Sequence, residues 1–154
     1  NYILGPILYS IIFYLSIVFN FFLEKKNQKI KKPKYADKKI NSVEATQQLE
    51  NLQKYLLDSK AFKNPNLKVI DLAKELNISG HQLSQLLNDN LGVSFSTFIN
   101  TYRIEEAKEL LTKFDHLTID AIGYESGFNS KSTFYTLFKQ KTNITPAAFR
   151  KAQI

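Results

Sequence analysis

"SGFNSKSTFYTLFKQKTN", residues 126–143, decides how this chain is read. Phe134, Leu137 and Phe138 recur at i, i+3, i+4, which predicts a helix with one apolar stripe. The opposite face carries Ser132, Thr136 and Lys139, flanked by Thr133 and Tyr135. No acidic residue follows Glu125, whereas Lys131, Lys139, Lys141, Arg150 and Lys151 do. A short helix with an aromatic back and a small, polar, acid-free front is suited to approach a phosphate-bearing surface and to reach past it.

The same design occurs once more upstream. Ala73-Lys74-Glu75-Leu76-Asn77-Ile78 parallels Gly123-Tyr124-Glu125-Ser126-Gly127-Phe128 at an offset of 50 residues. After one extra turn residue the offset becomes 51, and Leu83, Leu87 and Gly92 match Phe134, Phe138 and Asn143. Asn77 and Gly127 sit where a tight turn needs a left-handed backbone, which Asn and Gly accept. Gly92 and Asn143 stand where a helix ends in the same conformation. Each copy reads helix, tight turn, helix, a motif whose second helix can enter a DNA major groove. In the first copy His81, Gln85 and Asn88 face outward with Ser84 at the flank, and no Lys or Arg joins them.

Around this repeat the chain reads as helices, with no strand of convincing alternation. "VEATQQLENLQKYLLDS" sets Leu49, Leu52 and Leu56 on one face. The segment after Pro65 directs Ile70, Ala73 and Leu76 inward, and Leu83, Leu86 and Leu87 form the next stripe. A long helix, "FSTFINTYRIEEAKELLTKF", joins the copies and is buried through Phe98, Ile99, Tyr102, Ala107, Leu110 and Leu111. Thr145 and Pro146 mark the start of a last helix as N-cap and first position. The expected boundaries are 69–92 for the first copy, 95–114 for the linking helix and 118–143 for the second copy, inside a domain spanning 42–154. A rigid link of this kind would hold the two reading helices about one DNA turn, about 34 Å, apart.

Residues 2–23, "YILGPILYSIIFYLSIVFNFFL", carry no charge. As a helix these 22 residues span about 33 Å, the thickness of a bilayer core, so residues 1–23 are expected to cross a membrane. Residues 24–41 follow with eight lysines against Glu24 and Asp37, which holds most of the net charge of +7. Lysines beside a membrane end favour the cytoplasmic side, so the helical domain is expected at the cytoplasmic face of the inner membrane. The remainder is nearly neutral, and its basic excess is confined to the stretch after Glu125. The chain begins at Asn1 and contains no Met, so a piece of a longer protein is expected.

The 154 residues contain no cysteine and two histidines, His81 and His116. That excludes disulfides, a thiol nucleophile and thiolate metal sites, and leaves too few imidazoles for a histidine-built metal centre. No nucleophile elbow and no phosphate-binding glycine loop occurs, so neither an enzyme nor a cofactor is expected.

"LAKELNISGHQLSQLL", "YRIEEAKELL" and above all "IDAIGYESGFNSKSTFYTLFKQKTNITPAAFRK" resemble the C-terminal domain of the AraC/XylS family of bacterial transcription regulators. The resemblance covers about residues 42–151. It implies an all-α fold of seven helices, two helix-turn-helix (homeodomain-like) subdomains on one long linker helix, here behind one transmembrane helix. By position it implies DNA contacts from Gly80, His81, Ser84, Gln85 and Asn88 in the first reading helix. In the second it implies Lys131, Ser132, Thr133, Tyr135, Thr136 and Lys139. Double-stranded DNA is the implied partner, together with RNA polymerase, a second copy of the chain and an upstream sensing region. Gly123 replaces the usual Ala and Asn143 the usual Gly, while Gln85 and Thr136 stand where Arg is frequent. Soluble members carry an effector-binding domain where this chain has its apolar segment, so a membrane-integrated regulator is the expectation. The alternative from the residues is a membrane-anchored protein-interaction module that keeps the fold without binding DNA.

Overall fold

A computed structural model describes residues 42–153. The expected membrane span, 1–23, and the lysine-rich segment, 24–41, lie outside the described residues. Among the described residues no helix is long and apolar enough to cross a membrane.

Seven α-helices and one 3₁₀ turn make up the described chain: α1 (Ser42–Ser59), the 3₁₀ turn (Ala61–Lys63), α2 (Val69–Glu75), α3 (Gly80–Leu91), α4 (Phe95–Lys113), α5 (Ile119–Glu125), α6 (Lys131–Thr142) and α7 (Pro146–Gln153). Hydroxyls set the starts. The Ser79, Ser94, Thr118, Ser130 and Thr145 side chains accept the backbone N–H of Gln82, Thr97, Ala121, Thr133 and Ala148, satisfying donors that have no partner inside their helices. Pro146 is the first residue of α7, where its missing N–H costs nothing.

The two turns are built alike, bond for bond. Ile78 N donates to Ala73 O (3.0 Å) and Asn77 N to Lys74 O (3.1 Å). Fifty residues on, Phe128 N donates to Gly123 O (3.1 Å) and Gly127 N to Tyr124 O (2.9 Å). This crossed pair closes a helix around a left-handed residue, and Asn77 (φ 55°) and Gly127 (φ 96°) take that role. Gly92 (φ 67°) and Asn143 (φ 64°) end α3 and α6 in the same left-handed conformation, each donating its N–H four residues back.

Two cores form, one per copy. The first gathers Ala45, Leu52, Leu56, Phe62, Leu72, Ala73, Leu83, Leu86, Leu87, Phe98 and Ile99. The second gathers Ile104, Ala107, Leu111, Ile122, Phe128, Phe134 and Phe138. Helix α4 serves both: its N-terminal half closes the first core and its C-terminal half the second. One expectation fails here. Ile70 is 53% exposed, and Leu72 is buried in its place, beside the expected Ala73 and a half-buried Leu76. Seven residues hold barely two turns, too few for spacing alone to fix which stripe faces inward.

The exchange of Ala for Gly at position 123 has a packing cause. A Cβ there would lie 2.7 Å from Phe134 Cδ1. In the first copy the matching positions are Ala73 and Leu83, both buried. A smaller partner leaves room for the methyl group, so the two copies hold the same helix pair with volume moved from one side of the contact to the other.

Each copy forms one head on α4, and the 3₁₀ turn of the first is tied to the C-terminal half of that helix. Glu106, 8% exposed, receives Lys60 Nζ (3.1 Å) and Lys63 Nζ (2.7 Å) from either end of the 3₁₀ turn. Burial pushes the Glu106 carboxyl up, but the hydrogen bonds and charges of Lys63 and Lys60 outweigh it and hold the group below the usual carboxylate range. A depressed carboxyl pKa stabilises the fold above the unfolded value, about 4.3 for Glu, and that contribution is lost as pH falls through the folded value. Glu106→Gln is therefore expected to flatten the loss of stability between about pH 5 and pH 3. Urea titrations of both proteins at several pH values check this; parallel pH profiles would remove Glu106 as a source of the acid response.

Candidate nucleic-acid interface

The second helix of each copy presents the side chains singled out by the sequence. In α3, His81, Ser84 and Asn88 are exposed, while Gly80 and Gln85 are half-buried. Gly80 opens the helix, and a Cβ there would make only ordinary contact with Val69 and Ile70 of α2. The Ser84 hydroxyl donates to Gly80 O (2.9 Å), and Gln85 Nε2 donates to Asp89 Oδ2 (3.2 Å). Asp89 is thus a carboxylate on the border of a face that otherwise carries only neutral groups. It orients the Gln85 amide, leaving the Oε1 side free to accept.

In α6, Lys131, Ser132, Thr133, Thr136 and Lys139 are exposed and Tyr135 is half-buried. Phe134 and Phe138, both fully buried, anchor the helix from behind. Their rings continue a chain of edge and tilted contacts from Phe128 through Phe134 and Phe138 to Phe149, with centroids 5.3, 5.7 and 5.5 Å apart. This packing fixes the rotation of α6 about its axis and so decides which side chains point out.

The expected acid-free front does not survive folding. Asp120, near the start of α5, reaches the N-terminal end of α6. Its carboxylate pairs with the Lys131 ammonium and accepts from the Tyr135 hydroxyl (3.3 Å). The hydrogen bond from Lys131 holds Asp120 below the usual carboxylate range, and Asp120 in turn raises Lys131. Burial, then the Asp120 charge, raises the Tyr135 hydroxyl. Lys131 is therefore paired with a carboxylate, whereas among the described residues no ion pair involves Lys139. Sequence reading missed Asp120 because its partners lie 11 and 15 residues away, beyond any helical spacing.

The first copy differs at the same place. Ile70 and Gly80 occupy the positions matching Asp120 and Lys131, so no ion pair covers the start of α3. A cleft of about 300 Å³ lies between α4 and α6, with Ile104 and Leu137 among its apolar lining and Thr97, Asn100, Thr101, Gln140 and Lys141 among its polar lining.

Known proteins share this arrangement. A model of a helix-turn-helix domain family matches residues 72–152. An uncharacterized HTH-type transcriptional regulator of Bacillus subtilis, YfiF, is 42% identical over 84 residues, 54% of this chain and 26% of that protein. The chain spans between about a tenth and about a quarter of the length of such curated relatives. Among solved structures, the C-terminal domain of AraT, a response regulator from Geobacillus stearothermophilus, superposes with a TM-score of 0.58 at 26% identity, covering 76% of this chain and 90% of that one. The DNA-binding domain of AdpA, solved in complex with a target DNA, shares the fold at a TM-score of 0.57 and 21% identity, over 68% of this chain and 90% of its own. With the repeat, the paired turns and the long shared helix in place, the chain belongs to the AraC-type helix-turn-helix domain family.

Proposed function

We propose that residues 42–154 are the DNA-reading domain of a transcription regulator, with α3 and α6 entering successive major grooves of double-stranded DNA. The observation that carries this reading is the duplicated turn: two helix pairs closed by the same bonds, each offering an exposed, polar second helix. Phosphate contacts from Lys139 and Tyr135 would set register. Base contacts from His81, Ser84, Gln85 and Asn88 in α3, and from Ser132, Thr133 and Thr136 in α6, would specify sequence. Gly80 lets the start of α3 approach the backbone closely, and Lys131 contributes once DNA phosphate competes with Asp120.

The reading extends to a membrane-integrated regulator. Residues 1–23 would span the inner membrane, residues 24–41 would lie against its cytoplasmic face, and an upstream region would sense the signal. The charge-free run and the lysines behind it support this. A second copy of the chain on an adjacent site, and RNA polymerase, are the further partners.

Selection from a random DNA library with the full chain in detergent, at two salt concentrations, tests the reading. Enrichment of two short motifs about one helical turn apart is the expected result. Retention without a motif, vanishing at higher salt, would favour a protein-interaction module, the reading to which the neutral face of α3 and its Asp89 lend support. Lys139→Ala is expected to weaken binding to all sequences and to flatten the salt dependence by roughly one unit or less. Lys131→Ala should flatten it less, because Asp120 already offsets that charge. Equal slopes for both variants, measured by fluorescence anisotropy across salt, would contradict the assignment.

A further inference from the structure

We propose that Arg103 determines the spacing between the two half-sites that this domain accepts, by locking one reading head against the other. The inference rests on the DNA-reading function above. Along α4, Phe98 and Ile99 belong to the first core, and Ile104, Ala107 and Leu111 to the second. Arg103 stands just ahead of the switch to the second core, and its guanidinium uses both its edge and its face.

The edge is spent on the first head. Nε donates to Phe62 O (2.8 Å) and Nη2 to Asn64 O (2.8 Å), the carbonyls of the 3₁₀ turn and its exit, while Nη1 reaches Asn100 Oδ1 (3.4 Å). The guanidinium carbon lies over the ring of Phe128 in the second head, 5.9 Å from the centroid. Phe128 follows Gly127, whose missing Cβ lets the second turn press against the same carbonyl: a Cβ there would be 2.4 Å from Phe62 O. A planar fork with a stacking face fits this place, and the point charge of a lysine does not.

The consequence is geometric. A tilt between the heads, hinged at the middle of α4, carries one reading helix along the duplex relative to the other, and a shift of about 3.4 Å, the rise of one base pair, changes the spacing by one step. A helix shared by two cores does not by itself fix such a tilt. The Gly127 turn abuts Phe62 O without a directional bond, and Glu106 pairs with lysines of the first head only; the Arg103 fork is the contact that grips both heads. None of the residues involved belongs to the outward faces of α3 or α6, so base preference and spacing preference are set by separate parts of the molecule.

The test uses the full chain in detergent and DNA carrying the two selected half-sites with the spacer varied one base pair at a time. The wild type is expected to prefer one spacing and to lose about tenfold or more one step away. Arg103→Leu is expected to bind neighbouring spacings within about threefold of one another, with base preference inside each half-site unchanged. Arg103→Lys, which keeps the charge but not the fork, should broaden the profile too, and decides the matter if Arg103→Leu does not fold. A folded variant with the wild-type spacing profile overturns the proposal. A second readout needs no DNA. The chain has no cysteine, so thiols introduced at exposed Gln53 and Ala147 take spin labels uniquely. The distance distribution should widen in Arg103→Leu, and an unchanged width also overturns the proposal. A wild type that enriches no two-part site sinks the DNA reading itself and the spacing role with it. That outcome is distinct from a wild type that enriches and a variant that copies it.

Discussion

Phe134→Ala is expected to destabilise the second head by about 3–5 kcal/mol, the range for removing a buried aromatic ring. The side chain is fully buried and touches Phe128, Tyr135 and Phe138 through ring contacts of 5.3, 5.5 and 5.7 Å. The rings of Phe128, Tyr135 and Phe138 that touch it cannot move into the space without giving up contacts of their own. Because the first core contains none of these residues, the loss should be local: amide exchange in 118–153 accelerates while 45–100 keeps its protection. Uniform acceleration throughout would mean that the two cores unfold as one unit. The paired exchange at position 123 supplies a sharper form of the test. Phe134→Leu should cost less than Phe134→Ala, and adding Gly123→Ala should recover part of the loss, because the pair then reproduces Ala73 and Leu83 of the first copy. A favourable coupling of about 0.5–3 kcal/mol is expected for groups in direct contact. Additive effects in urea titrations would refute the volume exchange.

Gly127→Ala is the other large effect, about 2–4 kcal/mol, and its origin is different. Two costs combine. At φ 96° an L side chain is strained. The added Cβ also meets Phe62 O at 2.4 Å, Lys63 Cα at 2.8 Å and Lys63 C at 3.0 Å, all backbone atoms with no rotamer to give. Gly92 separates the two terms. It has a similar left-handed φ, 67°, but nothing within 4 Å of its would-be Cβ. Gly92→Ala should therefore show the conformational cost alone, about 1–2 kcal/mol. The difference between the two variants, read as a shift in urea midpoint at constant slope, measures the close approach of the second turn to the first head together with the added strain of φ 96° over φ 67°. Equal losses would indicate that the 3₁₀ turn moves aside at little cost.

Several features were legible in the residues alone because their physics is local. Spacing of three and four placed Leu52, Leu56, Leu83, Leu87, Phe134 and Phe138 inward, since one turn of helix decides their direction. Left-handed turn positions at Asn77, Gly92, Gly127 and Asn143 followed from residue type, because few others tolerate that backbone. Thr145 and Pro146 announced the start of α7 for a similar reason. Ile70 marks the edge of this method: in a seven-residue helix the stripe can be drawn two ways, and packing against α3 buries Leu72 beside the expected Ala73 while leaving Ile70 outside.

Other features needed the chain to be folded. The polar front of α6 is a property of its sequence, but its electrostatics belong to Asp120, which arrives from another helix and pairs with Lys131. Glu106 and Arg103 read as ordinary charges on a long helix. Folding brings Lys60 and the Phe62 and Asn64 carbonyls to them across 46, 41 and 39 residues of chain, distances over which no periodicity carries information. That there are two helix pairs, where each turns and which face of each second helix is outward follow from hydrophobic period and backbone tolerance, which act within a few residues. Which charges are paired and how one head is held against the other follow from ion pairs, ring contacts and missing methyl groups, which act through space between residues far apart in the chain.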